Sequence, residues 1–177
     1  MNYNSSKNVW KPFTITINTN NTSAGSSNAD QFKLPLVTGN VYRMKVNWGD
    51  GSGSNITSWN QAETTHTYIS GGTYTVKIHG RCDRFAFLNT GDRLKVLTIE
   101  NLGNIVWKSM SGMFEGCANM VGNFNEPPIT ERMVSMYSTF KGCSNFNTSV
   151  NNWDVSKITV FSRLFSGAIN FNQPLSG

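Results

Sequence analysis

A seven-residue segment recurs three times in the C-terminal third of the chain. The copies begin at Phe114, Phe140 and Phe165, and each reads Phe-x-Gly, Cys or Ala, a variable residue, Asn, and Met or Phe. The spacing is 26 and then 25 positions, a period typical of solenoids built from stacked coils. One coil cannot bury an apolar face alone, so we predict that each packs its Phe, Met and Leu side chains against the coil before it.

Two positions inside the repeat carry specific expectations. Asn119, Asn145 and Asn170 recur in register, so we expect their amides to bond backbone groups of successive coils. Cys117 and Cys143 are also equivalent, and equivalent positions stack about 5 Å apart, which predicts a ladder of buried thiols. A disulfide between them is the alternative in an oxidising setting. We expect one short strand, one tight turn and one helical turn in each coil.

The N-terminal half has the pattern of β-strands. Apolar and polar residues alternate in four segments, which are 13–17, 32–36, 42–48 and 74–78, as expected of half-buried strands. Asn55–Trp59 is a further short strand in this interpretation, and Pro35 marks an edge. Several short strands with turn residues between them predict a β-sandwich.

Three motifs in this half carry a family resemblance. Trp48-Gly49-Asp50-Gly51, followed by His66-Thr67-Tyr68 and by Gly72 to Ile78 with Tyr74, resembles the signature of the PKD domain. That domain is an immunoglobulin-like sandwich common in extracellular and cell-surface proteins. The resemblance covers residues 41–80 and implies a structural or binding module.

Physical chemistry gives each motif residue a structural role. We expect Trp48 to fill the core between the sheets and Tyr68 to tie a corner through its hydroxyl. Asp50 is expected to accept backbone N–H bonds inside a tight turn, where Gly49 and Gly51 supply unusual dihedral angles. His66 is then a hydrogen-bonded structural histidine and not a catalytic base.

The C-terminal repeats carry a second resemblance. Met113-Phe114, Asn152 to Thr159 and Phe171 to Leu175 resemble the 25-residue repeats of BspA-type leucine-rich-repeat surface proteins, which are also abundant in mycoplasma lipoproteins. The resemblance covers about residues 94–177, and the first coil departs from it at Glu126-Pro127-Pro128. A PKD-like segment followed by this repeat is a recurrent pairing in surface proteins and in some phage-encoded ones.

The expected fold is therefore mainly β. It consists of an immunoglobulin-like, PKD-type β-sandwich followed by a short leucine-rich-repeat-like solenoid of about three 25-residue coils. We predict an N-terminal arm at residues 1–12, the sandwich at 13–82 and the solenoid at 83–177.

Composition argues against nucleic-acid binding and against a membrane span. The formal net charge is +5, but the basic residues are scattered and form no stripe. Arg43, Lys45 and Lys77 could still attract an anionic glycan or a phosphate-bearing surface. The first 19 residues lack the apolar run of a secretory signal, and no later segment approaches the length of a membrane span.

No pattern in the sequence indicates catalysis. His66 and His79 lie in or beside predicted strands, and the aspartates lack metal-loop spacing. The glycines at 49–53 are not followed by the Lys-Ser/Thr of a phosphate loop. We therefore predict no enzymatic activity, no cofactor and no metal, with a calcium ion bound through Asp50 as a weaker alternative.

The combined interpretation is a non-enzymatic structural or adhesion protein displayed on a surface, with a protein or glycan partner. The candidate partner-binding side chains are Trp59, Met136, Tyr137, Trp153 and Phe161. Since the chain shows no export signal, we expect a virion component, either capsid decoration or tail-associated, contacting a capsid protein, a tail protein or a host receptor. A cell-surface adhesin and a carbohydrate-binding accessory module are the alternatives.

The end of the chain adds one more expectation. Leu175-Ser176-Gly177 stops inside a repeat. An uncovered coil exposes strand edges and apolar core. We therefore expect the last coil to pack against a neighbouring chain, so that the protein functions as an oligomer or in a complex.

Overall fold

The structure, a computed structural model, describes residues 10–175. The first nine residues of the predicted arm, with Ser176 and Gly177, lie outside that range. Eight strands occur within it: β1 (Phe13–Asn18), β2 (Gln31–Lys33), β3 (Tyr42–Asn47), β4 (Gly53–Ile56), β5 (Thr65–Thr67), β6 (Thr73–Cys82), β7 (Val96–Asn101) and β8 (Val121–Gly122). The helical content of the described range is two short 3₁₀ helices, Ala62–Thr64 and Gly91–Lys95. The described chain is thus mainly β, as predicted.

The strands form two sheets. The larger has the order β4-β3-β6-β1-β7-β8 and is mixed, because β7 and β8 are parallel while the other neighbours are antiparallel. The smaller is the antiparallel pair β2-β5. Phe32 of β2 and Tyr68 beyond β5 lie in one buried core with Trp48 and Val76, an arrangement consistent with a β-sandwich.

Strand β1 joins the two halves of the chain. It pairs with β6 on one side and with β7 on the other. The ring of Phe13 packs edge-on against Phe85 and Trp107, and it also contacts Phe114 of the first repeat, at centroid distances of 5.3, 5.4 and 6.4 Å. The sheet therefore runs across the predicted boundary between residues 82 and 83.

Two predicted strands have different bounds in the structure. The strand predicted at Asn55–Trp59 is β4, which ends at Ile56. Residues 57 and 58 instead donate their N–H groups to the side chain of Gln61, which holds a loop. The strand predicted over 32–36 is limited to β2 because Pro35 has no N–H to donate, and Leu36 makes only an isolated bridge to Phe85.

A buried lysine fixes the loop before β2. The Lys95 side chain is fully buried, and its Nζ lies 2.8–3.0 Å from the carbonyls of Ser27, Asn28 and Gln31 and from the Ser27 hydroxyl. Asp92, also buried, lies 3.5 Å from the same nitrogen and accepts the N–H groups of Ser27 and Lys33. Burial lowers the pKa of Lys95, and the Asp92 carboxylate opposes that shift.

The Lys95→Met variant tests how much buried Lys95 and its partners contribute to the stability of the fold. Met keeps most of the volume but leaves three carbonyls and the Asp92 carboxylate without their cation, so we expect the free energy of unfolding to fall by about 3–5 kcal/mol. Urea unfolding at equilibrium measures it, with Lys77→Met at an exposed site of β6 as the matched control. A Lys95→Met loss no larger than the control's would contradict this account.

The three repeats stack on one another. We number them repeat 1 (residues 110–133), repeat 2 (134–158) and repeat 3 (159–175). The Phe114, Phe140 and Phe165 rings are nearly parallel, with centroids 5.8 and 5.6 Å apart. The N–H of Phe114 donates to the Thr139 carbonyl and that of Phe140 to the Leu164 carbonyl, at 3.0 and 2.9 Å. Each repeat is thereby hydrogen-bonded to the next.

Turns, and no helical turn, shape the described repeats. Gly112, Ser138 and Arg163 occupy equivalent positions with φ of 64, 54 and 60°, and the chain reverses there. Four residues later Gly116, Gly142 and Gly167 also have positive φ. Residues 110–175 contain no helix, so the helical turn predicted for each coil is wrong. Repeated left-handed residues cannot continue a right-handed helix.

The predicted asparagine ladder forms at only one of its three positions. The Asn119 amide donates to the Leu94 carbonyl at 2.7 Å, whereas Asn145 and Asn170 are exposed. The contact between repeats lies two residues further on, where the Asn147 amide oxygen accepts the N–H of Asn172 at 3.0 Å. Cys143 and Phe146 are both buried, and Asn145, next to Phe146, is turned outward.

The cysteines are buried thiols. Cys82, Cys117 and Cys143 are all free, and the Cys143 thiol donates to the Phe114 carbonyl at 3.0 Å. Burial raises the pKa of Cys117 well above its usual value and that of Cys143 to about 12. The structure therefore has the thiol ladder and not the alternative disulfide.

Thiol labelling tests this arrangement. In the native protein at about pH 8 we expect no modification of the three thiols, because a buried thiol stays protonated and unreactive. In denaturant all three should be modified without added reductant, as counted by mass spectrometry. Recovery of a single reactive thiol under those conditions would reveal a disulfide.

Candidate protein-binding surface

The PKD-like motif residues come together as an aromatic cluster. The His66 ring stacks on Trp48 at 4.9 Å and contacts Tyr68 edge-on at 4.5 Å, and Tyr68 stacks on Tyr74 at 3.8 Å. The Tyr68 hydroxyl donates to the Trp48 carbonyl at 3.0 Å. Gly49, with φ of 89°, lies so close to β6 that a Cβ there would be 2.6 Å from the Thr75 carbonyl oxygen.

A Ser, a His and an Asp lie in contact beside this cluster. The Asp50 carboxylate accepts the Ser52 N–H at 2.9 Å and the Ser52 hydroxyl at 2.6 Å, and lies 2.7 Å from His66 Nε2. Ser52 is 3.4 Å from that same Nε2. A catalytic triad needs the carboxylate and the serine on opposite ring nitrogens. The three residues instead close the turn between β3 and β4.

Hydrogen bonding sets the acidity of Asp50. Burial alone would raise its pKa, but hydrogen bonds from Ser52 and His66 outweigh burial and lower the pKa to about 2, from an ordinary value of 3.8. Because the folded-state pKa lies below the unfolded one, the ionised carboxylate stabilises the fold above about pH 4, and this contribution disappears as the pH falls towards 2.

Asp50→Asn should separate this contribution from the rest of acid unfolding. We expect the variant to lose about 1–2 kcal/mol of stability at neutral pH and to depend less on pH between about 5 and 2. Urea unfolding across that pH range measures both effects. Exposed Glu131→Gln serves as the control. An unchanged pH slope in Asp50→Asn would show that this carboxylate is not coupled to folding.

The C-terminal end of the stack carries an apolar groove of about 380 Å³. We call it the C-terminal groove. Its walls come from repeats 2 and 3, and its lining residues are Met136, Phe140, Val150, Asn151, Trp153, Val155, Phe161, Leu164, Phe165 and Leu175. Nine of these ten are apolar, so the groove suits an apolar occupant.

Trp153 forms the floor of this groove. Its side chain packs against Phe124 and Phe140, with ring centroids 5.9 and 6.0 Å away, and the residue is 7% exposed. Its buried indole N–H has no hydrogen-bond partner among the described residues. A buried donor left unpaired costs free energy.

The predicted partner-binding residues do not form one surface. Trp153 and Phe161 both line the C-terminal groove, and Phe161 is 40% exposed. Met136 also reaches the groove but is buried. Tyr137 is equally exposed but is not part of the lining. Trp59 is 44% exposed on the N-terminal half, where it borders a separate depression with Lys33 and Leu88.

Comparison with known proteins finds a match to the C-terminal part of the chain. Residues 107–177 match a family model described as "Mycoplasma protein of unknown function, DUF285". The matched segment contains all three repeats, and the match is compatible with BspA-type surface repeats. No curated protein and no solved structure matches the chain. The PKD resemblance of residues 41–80 thus remains an interpretation of the sequence.

Two further features are absent from residues 10–175. No three His, Cys, Asp or Glu side chains in that range lie close enough together to hold a metal ion. Nor does any helix there have the length and apolar character needed to cross a membrane. Both Asp50 carboxylate oxygens, the proposed calcium ligands, already have hydrogen-bond partners.

Sequence reasoning missed most of the groove. Val150, Val155, Leu164 and Leu175 are ordinary apolar residues that the repeat pattern assigns to the core. The repeat pattern carries no signal that separates them from fully buried core positions. A second missed feature is the outer edge of residues 160–167, which we call the open edge.

Proposed function

We propose that this protein is a non-enzymatic surface protein that attaches to a protein partner through the C-terminal groove. The observation that carries the proposal is the apolar C-terminal groove, in which Phe161, Val155 and Leu175 are 40–63% exposed. Exposed contiguous apolar surface of this kind marks interaction sites. Aromatic side chains in such a pocket carry most of the binding free energy.

The finer architecture belongs to the same proposal. The repeats are coils of a short leucine-rich-repeat solenoid, supported by their stacked phenylalanines and equivalent turns. The N-terminal half is a PKD-type, immunoglobulin-like sandwich, supported by the Trp48, Asp50 and Tyr68 contacts. Ser52 and Asp50 face the same nitrogen of His66, so the three residues cannot relay a proton as a catalytic triad does, and this supports a non-enzymatic role.

For location, we propose the surface of a virus particle, as a capsid decoration or tail-associated protein. The support is the resemblance itself, since PKD-like segments followed by BspA-type repeats recur in phage-encoded as well as surface proteins. The alternative is a bacterial cell surface, as an adhesin or a carbohydrate-binding accessory module. The observation that favours the carbohydrate alternative is exposed Trp59 beside a depression of about 450 Å³.

Two measurements test this proposal. Quantitative peptide mass spectrometry of purified particles and of the cell-envelope fraction shows where the chain occurs in stoichiometric amount. Binding to that fraction is then compared for Val155→Asp, which places a charge in the groove, and Ile169→Asp, which places one at an exposed position outside the lining.

We expect the chain in particles, and at least a tenfold loss of attachment in Val155→Asp alone, since a buried unpaired charge costs well over 1.4 kcal/mol. Equal loss in both variants would refute the groove as the attachment site. Loss of attachment to glycan on Trp59→Ala, with Val155→Asp unaffected, would favour the carbohydrate-binding alternative.

A further inference from the structure

One set of backbone hydrogen bonds passes from each repeat to the next in the same direction. The N–H of Asn89 donates to Glu115, that of Gly116 to Lys141, and that of Gly142 to Ser166, at 3.0, 2.7 and 2.8 Å. Glu115 and Gly116 share one peptide group, as do Lys141 and Gly142. Each such group therefore accepts from the preceding segment through its C=O and donates to the following one through its N–H.

A parallel row repeats this pattern one turn away. In this row the N–H of Phe87 donates to the Met113 carbonyl, that of Phe114 to the Thr139 carbonyl, and that of Phe140 to the Leu164 carbonyl. Two more rows connect repeats 2 and 3. In these, the N–H of Met136 donates to the Val160 carbonyl and the N–H of Ser138 donates to the Ser162 carbonyl. Aligned hydrogen bonds polarise one another, so these four rows have a donor end and an acceptor end. The N–H groups of Asn145 and Thr159 donate in the opposite sense, to Ala118 and Val134, and lie outside these rows.

The open edge is the donor end. The N–H groups of Phe161, Arg163, Phe165 and Gly167 are equivalent to those of Met136, Ser138, Phe140 and Gly142, which donate to repeat 3. In residues 10–175 these four have no acceptor. The carbonyls of the same peptide groups, on Val160, Ser162, Leu164 and Ser166, already accept from repeat 2. The open edge therefore offers only donors.

This polarity excludes a two-fold pairing of the open edge with a second copy. Such symmetry would place N–H groups opposite N–H groups, with no acceptor between them. Arg163, within the edge itself, is exposed and adds a positive charge there. A segment that covers the edge must therefore present carbonyl oxygens.

The apolar groove beside the edge adds the second requirement. Repeat 3 meets repeat 2 in the parallel sense, as the bridge between Ser135 and Val160 shows, and it lays Phe165 on Phe140 as it does so. Continuing that geometry places an apolar side chain of the next segment over Phe165 and into the C-terminal groove. Addition of a strand to an exposed edge is a common mode of peptide recognition.

We propose that the open edge and the C-terminal groove together capture an extended segment of a different protein chain. The captured segment runs parallel to residues 160–167, supplies backbone carbonyls to the four N–H groups, and places an apolar side chain in the groove. This inference rests on the proposed function, because it specifies the partner of the same site.

The test uses the whole chain and a synthetic peptide with the sequence of residues 159–175, which covers the equivalent edge of repeat 2. Calorimetry measures binding. Hydrogen exchange of the Phe165 and Gly167 amides, followed by NMR, reports whether those N–H groups become bonded. We expect one peptide to bind each chain and exchange at these two amides to slow at least about tenfold.

Two modified peptides test polarity. N-methylation at the peptide's own copies of Phe161 and Phe165 blocks groups that face away from the protein, so affinity should change by less than about threefold. Replacing the amides between Val160 and Phe161 and between Leu164 and Phe165 with esters weakens the accepting carbonyls, so affinity should fall at least about tenfold. Binding of the unmodified peptide is also compared between chains carrying Val155→Asp, inside the groove, and Ile169→Asp, outside it.

Each outcome decides a different statement. Binding abolished by N-methylation but still sensitive to Val155→Asp would overturn the proposed polarity and leave the groove as the attachment site. Absence of peptide binding, with Val155→Asp still blocking attachment to particles, would overturn strand capture but not the proposed function. A homodimer in sedimentation experiments that Val155→Asp dissociates would show that a second copy occupies the groove, and would overturn the inference.

Discussion

The double pairing of strand β1 is the constraint on which the rest of this structure depends. β1 is hydrogen-bonded to β6 and β7 at once, and Phe13 at its start contacts the rings of Phe85, Trp107 and Phe114, all beyond residue 82. The first repeat consequently has a preformed apolar wall on which to stack. Because later repeats contact only their neighbours, their order follows from that first attachment.

Buried Lys95 and its hydrogen-bond partners order a second, polar part of the chain. Lys95 lies just before β7, and its ammonium holds the loop that leads to β2 through backbone carbonyls. The loop is rich in Asn and Ser and has little apolar surface to bury. A buried charge, compensated by Asp92, supplies the order that apolar packing cannot provide there.

Much of the N-terminal half could be predicted because strand patterning is local. Tyr42, Met44 and Val46 are buried while Arg43 and Lys45 are exposed, as alternation requires. The ends of the strands were less accessible, since the end of β4 depends on the Gln61 side chain five residues beyond Ile56. In the repeats, the period predicted stacking, but the exposed Asn145 and Asn170 followed from turn geometry that spacing does not encode.

The candidate site was predictable in its residues but not in its shape. Aromatic character picked out Trp153 and Phe161, which line one groove, but also Tyr137 and Trp59, which lie elsewhere. The direction of the hydrogen bonds at the open edge depends on which face of each peptide group meets its neighbour. Side-chain patterns carry no information about that choice.

The relay of hydrogen bonds through single peptide groups has a consequence for how such proteins vary in length. Each repeat presents to its successor the same pattern of groups that it met on its predecessor, so a whole repeat can be inserted or deleted without altering either junction. Duplication or loss of one unit would change the reach of the protein in increments of about 5 Å, the spacing between neighbouring strands. The residues contacting β1 at one end and the exposed groove at the other would stay the same.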